Sequence, residues 1–234
     1  MKYRKYIGYI IPGFTTYEVK TDYFIIESGI LNKKYSYVPI HQLADQVELK
    51  QTFLGRWMGD FGSIHFTTHN GEEVTFSQIK KAGYLMQVLP GLIKSENMRY
   101  VDALNKVRYD MYKGKPARKN KRYSKCFAEK NRFYFPGFES YFLDQDQLIV
   151  RQGIFRKQEM NIYLENFDSM FHAERSFAER VLGFGTISLK CGSEKVILRH
   201  ISSAEAIAWI LTKTIPQAKI IYYAYQAFQK KAGV

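Results

Sequence analysis

PGFTTYEVKTDYFIIESGILNKK, residues 12–34, and PGFESYFLDQDQLIVRQGIFRKQ, residues 136–158, are two versions of one phrase set 124 positions apart. From Pro12 to Asp60, twelve of 49 positions are identical at that spacing. The pairs are Pro12, Gly13, Phe14, Tyr17, Asp22, Ile25, Gly29, Ile30, Lys33, Phe53, Arg56 and Gly59 with Pro136, Gly137, Phe138, Tyr141, Asp146, Ile149, Gly153, Ile154, Lys157, Phe177, Arg180 and Gly183. Ordinary composition would give about three. One deletion later Phe61, Gly62 and Ile64 lie over Phe184, Gly185 and Ile187, and a further slip aligns Ile79 with Ile201 and Ile93 with Ile215. The chain therefore repeats one domain, over residues 12–93 and 136–215.

Within a copy, strands come first and a helix last. Tyr17–Lys20, Tyr23–Glu27 and Tyr35–Val38 are short and rich in β-branched and aromatic residues, with Asp22 and Gly29 marking turns. GSIHFTTHNGEEVTF, residues 62–76, places Asn70-Gly71 between two alternating segments, a strong hairpin signal. Cys191-Gly192-Ser193-Glu194 fills that place in the second copy. After Ile201 the period changes: SSAE, residues 202–205, offers an N-cap with an acidic first turn, and Ile207, Ile210 and Leu211 recur at helical spacing. Further helices are expected from Ser95, with Met98, Val101, Leu104, Val107 and Met111 on one flank, and after Pro216.

The 234 residues are 46% apolar and 16% aromatic, too apolar for a disordered chain. The uncharged stretches, such as Tyr6–Tyr17 and Ile220–Gln229, are shorter than the roughly 20 residues of a spanning helix. No transmembrane helix or signal peptide is expected, and two cysteines, Cys126 and Cys191, point to a reducing cytosol. The net charge of +13 is unevenly held. Residues 1–11 and 217–234 carry +3 each, both repeats −1 each, and residues 94–132 carry 13 basic against four acidic residues. Such a field selects phosphates of a membrane leaflet or of nucleic acid. Tyr109, Tyr112, Tyr123 and Phe127, which interleave the basic run, suit stacking on bases, and equally a helix packed on a β-domain. On this count any electrostatic function belongs to the connections and not to the folded copies.

IHQL (residues 40–43) followed by QTFLGRWMGDFGSI (residues 51–64) resembles the bacterial pleckstrin-homology-like domain, and LENF (residues 164–167) with RSFAERVLGFGTI (residues 175–187) is similar. The resemblance implies a mainly β, α+β architecture: two tandem bent antiparallel barrels of about seven strands, each capped by a C-terminal helix. It implies an interaction or scaffolding role with no shared catalytic residue. Eukaryotic relatives of the fold hold phosphoinositides with basic loops, so Lys33 and Lys34, and Arg156 and Lys157, become candidate headgroup or partner contacts.

Other chemistry is thinly represented. His65 and His69 on one strand would stand about 13 Å apart, too far for a shared zinc ion. Gly59 and Gly183 precede strands and not helices, so they suit bends better than a phosphate loop. Arg56 and Arg180 are read as structural, and no nucleophile, base and oxyanion site assembles. No enzyme, cofactor, metal or small-molecule substrate is expected.

The expected organisation is a first domain over 1–94 with a basic N-terminal segment, a basic helical or flexible linker over 95–132, a second domain over 133–216 and a basic C-terminal helix over 217–234. The expected function is a non-enzymatic scaffold in the cytoplasm, peripheral at the inner face of the membrane. Its anion contacts are Lys113, Lys115, Arg118, Lys119, Lys121, Arg122 and Lys125, and its domains bind a protein partner or a second copy. The alternative is a nucleic-acid-binding protein that uses the same linker.

Overall fold

The computed structural model describes residues 1–7, 11–113, 126–129, 139–144, 147–153, 158–168 and 170–232. The chain divides into two compact units, Met1–Tyr100 and Val101–Val234. The first holds β1 (Lys2–Ile7), β2 (Ile11–Val19), β3 (Tyr23–Ser28), β4 (Lys33–Pro39), β5 (Leu43–Lys50), the short helix α1 (Phe53–Trp57), β6 (Gly62–Thr68) and β7 (Glu73–Ile79). Helix α2 (Ala82–Tyr112) follows. The second unit repeats the order as β8 (Cys126–Glu129), β9 (Glu139–Asp144), β10 (Gln147–Gln152), β11 (Gln158–Tyr163), β12 (Phe171–Arg175), α3 (Phe177–Leu182), β13 (Phe184–Cys191), β14 (Glu194–Ser202) and α4 (Ala204–Ala232).

Each strand pairing described below is antiparallel. In the first unit the ladder runs β4-β3-β2-β1-β7-β6-β5, open, with β4 and β5 at its ends within the unit. In the second, β8 to β11 pair in sequence, as do β12 to β14. The β3–β4 turn requires a glycine: Gly29 has φ 94°, and a Cβ there would meet the Asn32 carbonyl oxygen at 2.1 Å. Gly153, its counterpart, has φ 97°.

The cores follow from strand alternation. Phe24, Phe66 and Phe76 are fully buried with ring centroids 5.0–5.3 Å apart, and Tyr17 stacks on Phe76 at 4.5 Å. Helix α2 closes this core with Ala82, Leu85, Leu89 and Ile93. Their spacing of three or four residues puts them on one stripe. His41 stacks on Tyr100 further along α2, at 4.4 Å and 2°. Helix α4 does the same for the second unit with Ala204, Ile207, Ala208, Leu211, Ile215 and Ala218.

Both helices run further than the sequence suggests. Separate helices were expected from Ser95 and after Pro216, but α2 is continuous from Ala82 through Ser95 to Tyr112 with Pro90 inside it, and α4 passes through Pro216. A mid-helix proline removes one backbone donor and costs about 3 kcal/mol. Around Pro216 the buried stripe continues without interruption from Ile215 to Ala218, and this burial outweighs that cost. Thr214 Oγ1 also donates to the Ile210 carbonyl at 2.8 Å.

A β-bulge recurs at the same place in each copy. Register moves from Gly62↔Ile79 to Ile64↔Phe76 in one unit, and from Gly185↔Ile201 to Ile187↔Leu198 in the other. The bulged residues Gln78 and His200 have φ of 48° and 50°. Their ladder is broken, so the local backbone donors turn to side chains. Ser77 N–H donates to the Tyr17 hydroxyl at 3.1 Å and Arg199 N–H to the Tyr141 hydroxyl at 3.2 Å. Gln78 N–H donates to Ser63 Oγ at 3.0 Å, and His200 N–H to Thr186 Oγ1 at 3.4 Å. The identity of Tyr17 with Tyr141 across the repeat thereby has a physical cause.

Candidate functional site

Strand β1 alternates, so Lys2, Arg4 and Tyr6 follow one another along it, and Tyr3 lies between. At the other side of β7 the chain turns into α2 through Lys80 and Lys81, the latter at φ 62°. These residues, with Met1 and Tyr84, line a cleft of about 510 Å³. Lys2, Arg4, Lys80 and Lys81 are all exposed, and among the described residues none of them joins an ion pair. Burial, then Tyr84, pushes the Tyr3 hydroxyl above its ordinary value. It therefore stays neutral at physiological pH.

The neighbouring acid is already engaged. Asp60 Oδ2 accepts from the Gly83 N–H at 2.9 Å and the Tyr84 N–H at 3.4 Å, and Oδ1 accepts from Gln51 Nε2 at 2.7 Å. It thus caps α2, and its carbonyl also accepts from the Ala82 N–H at 2.8 Å. The cleft is left with four cations and three tyrosines, an arrangement that favours a phosphorylated or carboxylated ligand at an open surface.

This placement corrects one expectation. The charge of residues 1–11 is counted outside the repeats in the sequence, yet Lys2, Arg4 and Lys5 lie on β1 of the first unit, which pairs with β2 and touches β7 through Lys5↔Ile79. The strand was missed because it precedes the region of repeat identity. Its pattern, KYRKYI, alternates weakly, and Lys80-Lys81 is a signal only once the turn brings it to β1.

The residues singled out from sequence are dispersed. Lys33 is ion-paired with Glu27 on the adjacent strand. Partial burial acts to raise the Glu27 carboxyl, but the hydrogen bond and charge of Lys33 and the hydroxyl of Thr16 hold it below the ordinary carboxylate value. Lys34 follows Lys33 on β4, paired opposite Ser28. Lys113 follows α2 and lies 4.5 Å from the centre of the Tyr109 ring, a cation–π contact at an exposed position. Lys115, Arg118, Lys119, Lys121, Arg122, Lys125, Arg156 and Lys157 lie outside the described residues.

A cluster at the start of α3 has residue types familiar from hydrolases, in another order. His200 Nδ1 lies 2.7 Å from Glu179 Oε1, while Ser176 Oγ donates to Glu179 Oε2 at 3.0 Å and accepts from the Glu179 N–H at 3.2 Å. The carboxylate sits between serine and histidine, so the imidazole does not face the hydroxyl it would have to activate. The arrangement is a capping box tied to the bulge at His200. The Cys191 thiol is pushed up by burial and then by Glu194 and Asp168, away from the thiolate that reactivity needs. His65 Nδ1 is 3.0 Å from Thr75 Oγ1, a cross-strand contact.

The short helices were also missed. Arg56 and Arg180 sit on α1 and α3, each opened by a hydroxyl cap: Thr52 Oγ1 accepts from Gly55 N–H at 3.0 Å, as Ser176 does in the second copy. Five or six residues are too few for a helical period to show, and the available signal was the hydroxyl at the start of both.

An open β-sheet with a helix closing its core, repeated in tandem and bearing an exposed cationic cleft, defines a binding module. Residues 4–90 and 134–215 each match the family model for the bacterial PH domain, and the chain belongs to that family as a tandem pair. Comparison with curated proteins and with solved structures finds no match. PH domains are generally non-catalytic interaction modules, which commonly bind proteins or lipids. Among the described residues no helix is long and apolar enough to cross a membrane.

Proposed function

We propose that the chain is a non-enzymatic tandem PH-like scaffold that works in the cytoplasm and attaches peripherally to an anionic surface, the inner membrane leaflet. Its basic connecting segments make the attachment, and its two units bind a protein partner or a second copy. The observation that carries this reading is the segregation of charge: 13 basic against four acidic residues over 94–132, beside repeats of net −1. Each basic residue near an acidic leaflet contributes about 1 kcal/mol, so a handful gives reversible attachment. Two modules in one chain add avidity without a strong individual site.

The second reading is nucleic-acid binding through the same segment, favoured by Tyr109 and Tyr112, both exposed near the end of α2 beside Lys113. Co-sedimentation with neutral and with anionic vesicles, run beside electrophoretic shift with random DNA and RNA across a salt series, separates the two. The scaffold reading expects pelleting with anionic vesicles only, and its loss when Arg118, Lys119, Lys121, Arg122 and Lys125 are all changed to Gln. Pelleting that survives those substitutions contradicts the role of the linker. A salt-sensitive shift without pelleting selects nucleic acid.

A further inference from the structure

Helix α1 exposes what a small helix normally buries. Phe53 is 89% and Trp57 79% exposed, and Leu54 and Met58 are exposed beside them. At about 100° per residue, the four fall within an arc of about 140°, with Arg56 outside it. The exposure is imposed by the fold. Thr52 caps the first turn, Gly55 is buried beneath the helix, and the Phe61 N–H ties down the Gly55 carbonyl at 2.9 Å. The apolar arc also borders the cationic cleft: a Cβ built on Gly59, the residue after Met58, would lie 3.4 Å from Lys80 Cε.

The second copy repeats the pattern at the same positions. Phe177, Val181 and Leu182 of α3 are exposed where Phe53, Trp57 and Met58 stand in α1, and the Arg180 guanidinium lies 5.5 Å from the Phe177 ring centre. A shared fold explains recurring core residues. It does not explain recurring exposed aromatic and aliphatic ones, which nothing in the packing requires.

We propose that α1 is a lipid-insertion element, placing Phe53, Leu54, Trp57 and Met58 into the interfacial layer of an anionic bilayer while Lys80 and Lys81 meet the headgroups. Aromatic side chains partition to that layer, and an apolar face flanked by cations is the pattern of interfacial helices. Charge complementarity selects the occupant: among the described residues the cations bordering the arc join no ion pair, and Asp60 is held in the cap of α2. The proposal rests on the reading that the chain attaches to an anionic surface, and adds the site at which lipid is penetrated.

Trp57 supplies its own probe. Trp209, the other tryptophan, is also exposed, so Trp209→Phe leaves the core intact and makes Trp57 the sole tryptophan, whose emission is selected by excitation beyond the tyrosine band. The full chain carrying that change is mixed with vesicles of phosphatidylcholine, alone or with phosphatidylglycerol, and with brominated analogues of each. Trp57 emission is expected to shift to the blue, and to be quenched by brominated chains, with the anionic vesicles alone. Phe53→Ser with Leu54→Ser, at unchanged circular dichroism, is expected to weaken association by roughly tenfold or more. Co-sedimentation with anionic vesicles at unchanged Trp57 emission overturns the insertion site and leaves the attachment reading standing. No co-sedimentation with either vesicle removes both. A blue shift that grows with protein concentration in the absence of vesicles assigns the face to a second copy and overturns lipid as the occupant.

Discussion

Tyr17 and Tyr141 each combine two tasks, the ring filling the core while the hydroxyl accepts a backbone N–H that the bulge has released. Replacing either by Phe keeps the ring and strands a part-buried donor, and in Tyr141 also removes the hydroxyl's bond to Glu139 Oε2 at 2.6 Å, each lost bond costing about 1 kcal/mol. Tyr17→Phe and Tyr141→Phe are therefore each expected to lower stability by about that amount per bond lost, without changing the circular dichroism spectrum. Urea titration measures it, and an unchanged midpoint would show that the hydroxyl does not matter. Glu179 gives a pH dependence. Partial burial acts to raise its carboxyl, but hydrogen bonds from the Ser176 backbone, His200 and Ser176 Oγ outweigh it and leave it below the ordinary value of 4.5. A depressed carboxyl stabilises the fold above 4.5, and this contribution is lost as the pH falls through its folded value. Glu179→Gln should flatten that acid limb in urea midpoints followed from neutral pH downwards. An acid limb as steep as the parent's would remove Glu179 as its source.

The elements show which parts of the sequence could be read in advance. Strands β3, β4, β6 and β7 announced themselves through alternation, Gly29 and Asn70-Gly71, because the turn chemistry is local. The start of α4 was legible for the same reason, through Ser202-Ser203-Ala204-Glu205, whereas α2 is capped by Asp60 from a distant part of the chain. Their continuation through Pro90 and Pro216 was not, since it depends on a buried stripe supplied by tertiary packing. Of the candidate site, Lys80-Lys81 stood in plain view but acquired meaning only beside β1, whose pairing with β2 and β7 no local signal encodes. Likewise, α1 could be seen as a motif but not as a helix, and exposure of its aromatic residues is a property of the folded surface. At this scale Leu89→Ala, which opens a hole under α2, is expected to cost about 2–5 kcal/mol. Thr52→Ala, which removes only a cap, should cost about 1 kcal/mol. Denaturant midpoints compare them, and equal effects would mean that α2 contributes no more than a surface turn.

Across the whole molecule, a net charge of +13 and a pI near 9.5 are concentrated in few places, and the cleft on β1 gives part of that charge a fixed geometry. Lys80→Gln with Lys81→Gln removes two of its four cations. At about 1 kcal/mol each near an acidic leaflet, the pair should weaken anionic-vesicle association by about thirtyfold in low salt, and by less as salt screens the remainder. Vesicle sedimentation across a salt series reads this directly, and a salt-independent loss would point to altered packing instead. The recurring bulge reaches further still. The hydroxyl of Tyr17 meets Ser77, and that of Tyr141 meets Arg199, so each copy closes only when its last strand is available. On a ribosome the first copy has its partner in hand before Tyr141 has been translated, and the order of synthesis keeps two similar sets of strands from exchanging. A chain released whole from denaturant has no such order, and misassembly between its halves is the hazard to which the duplication exposes it.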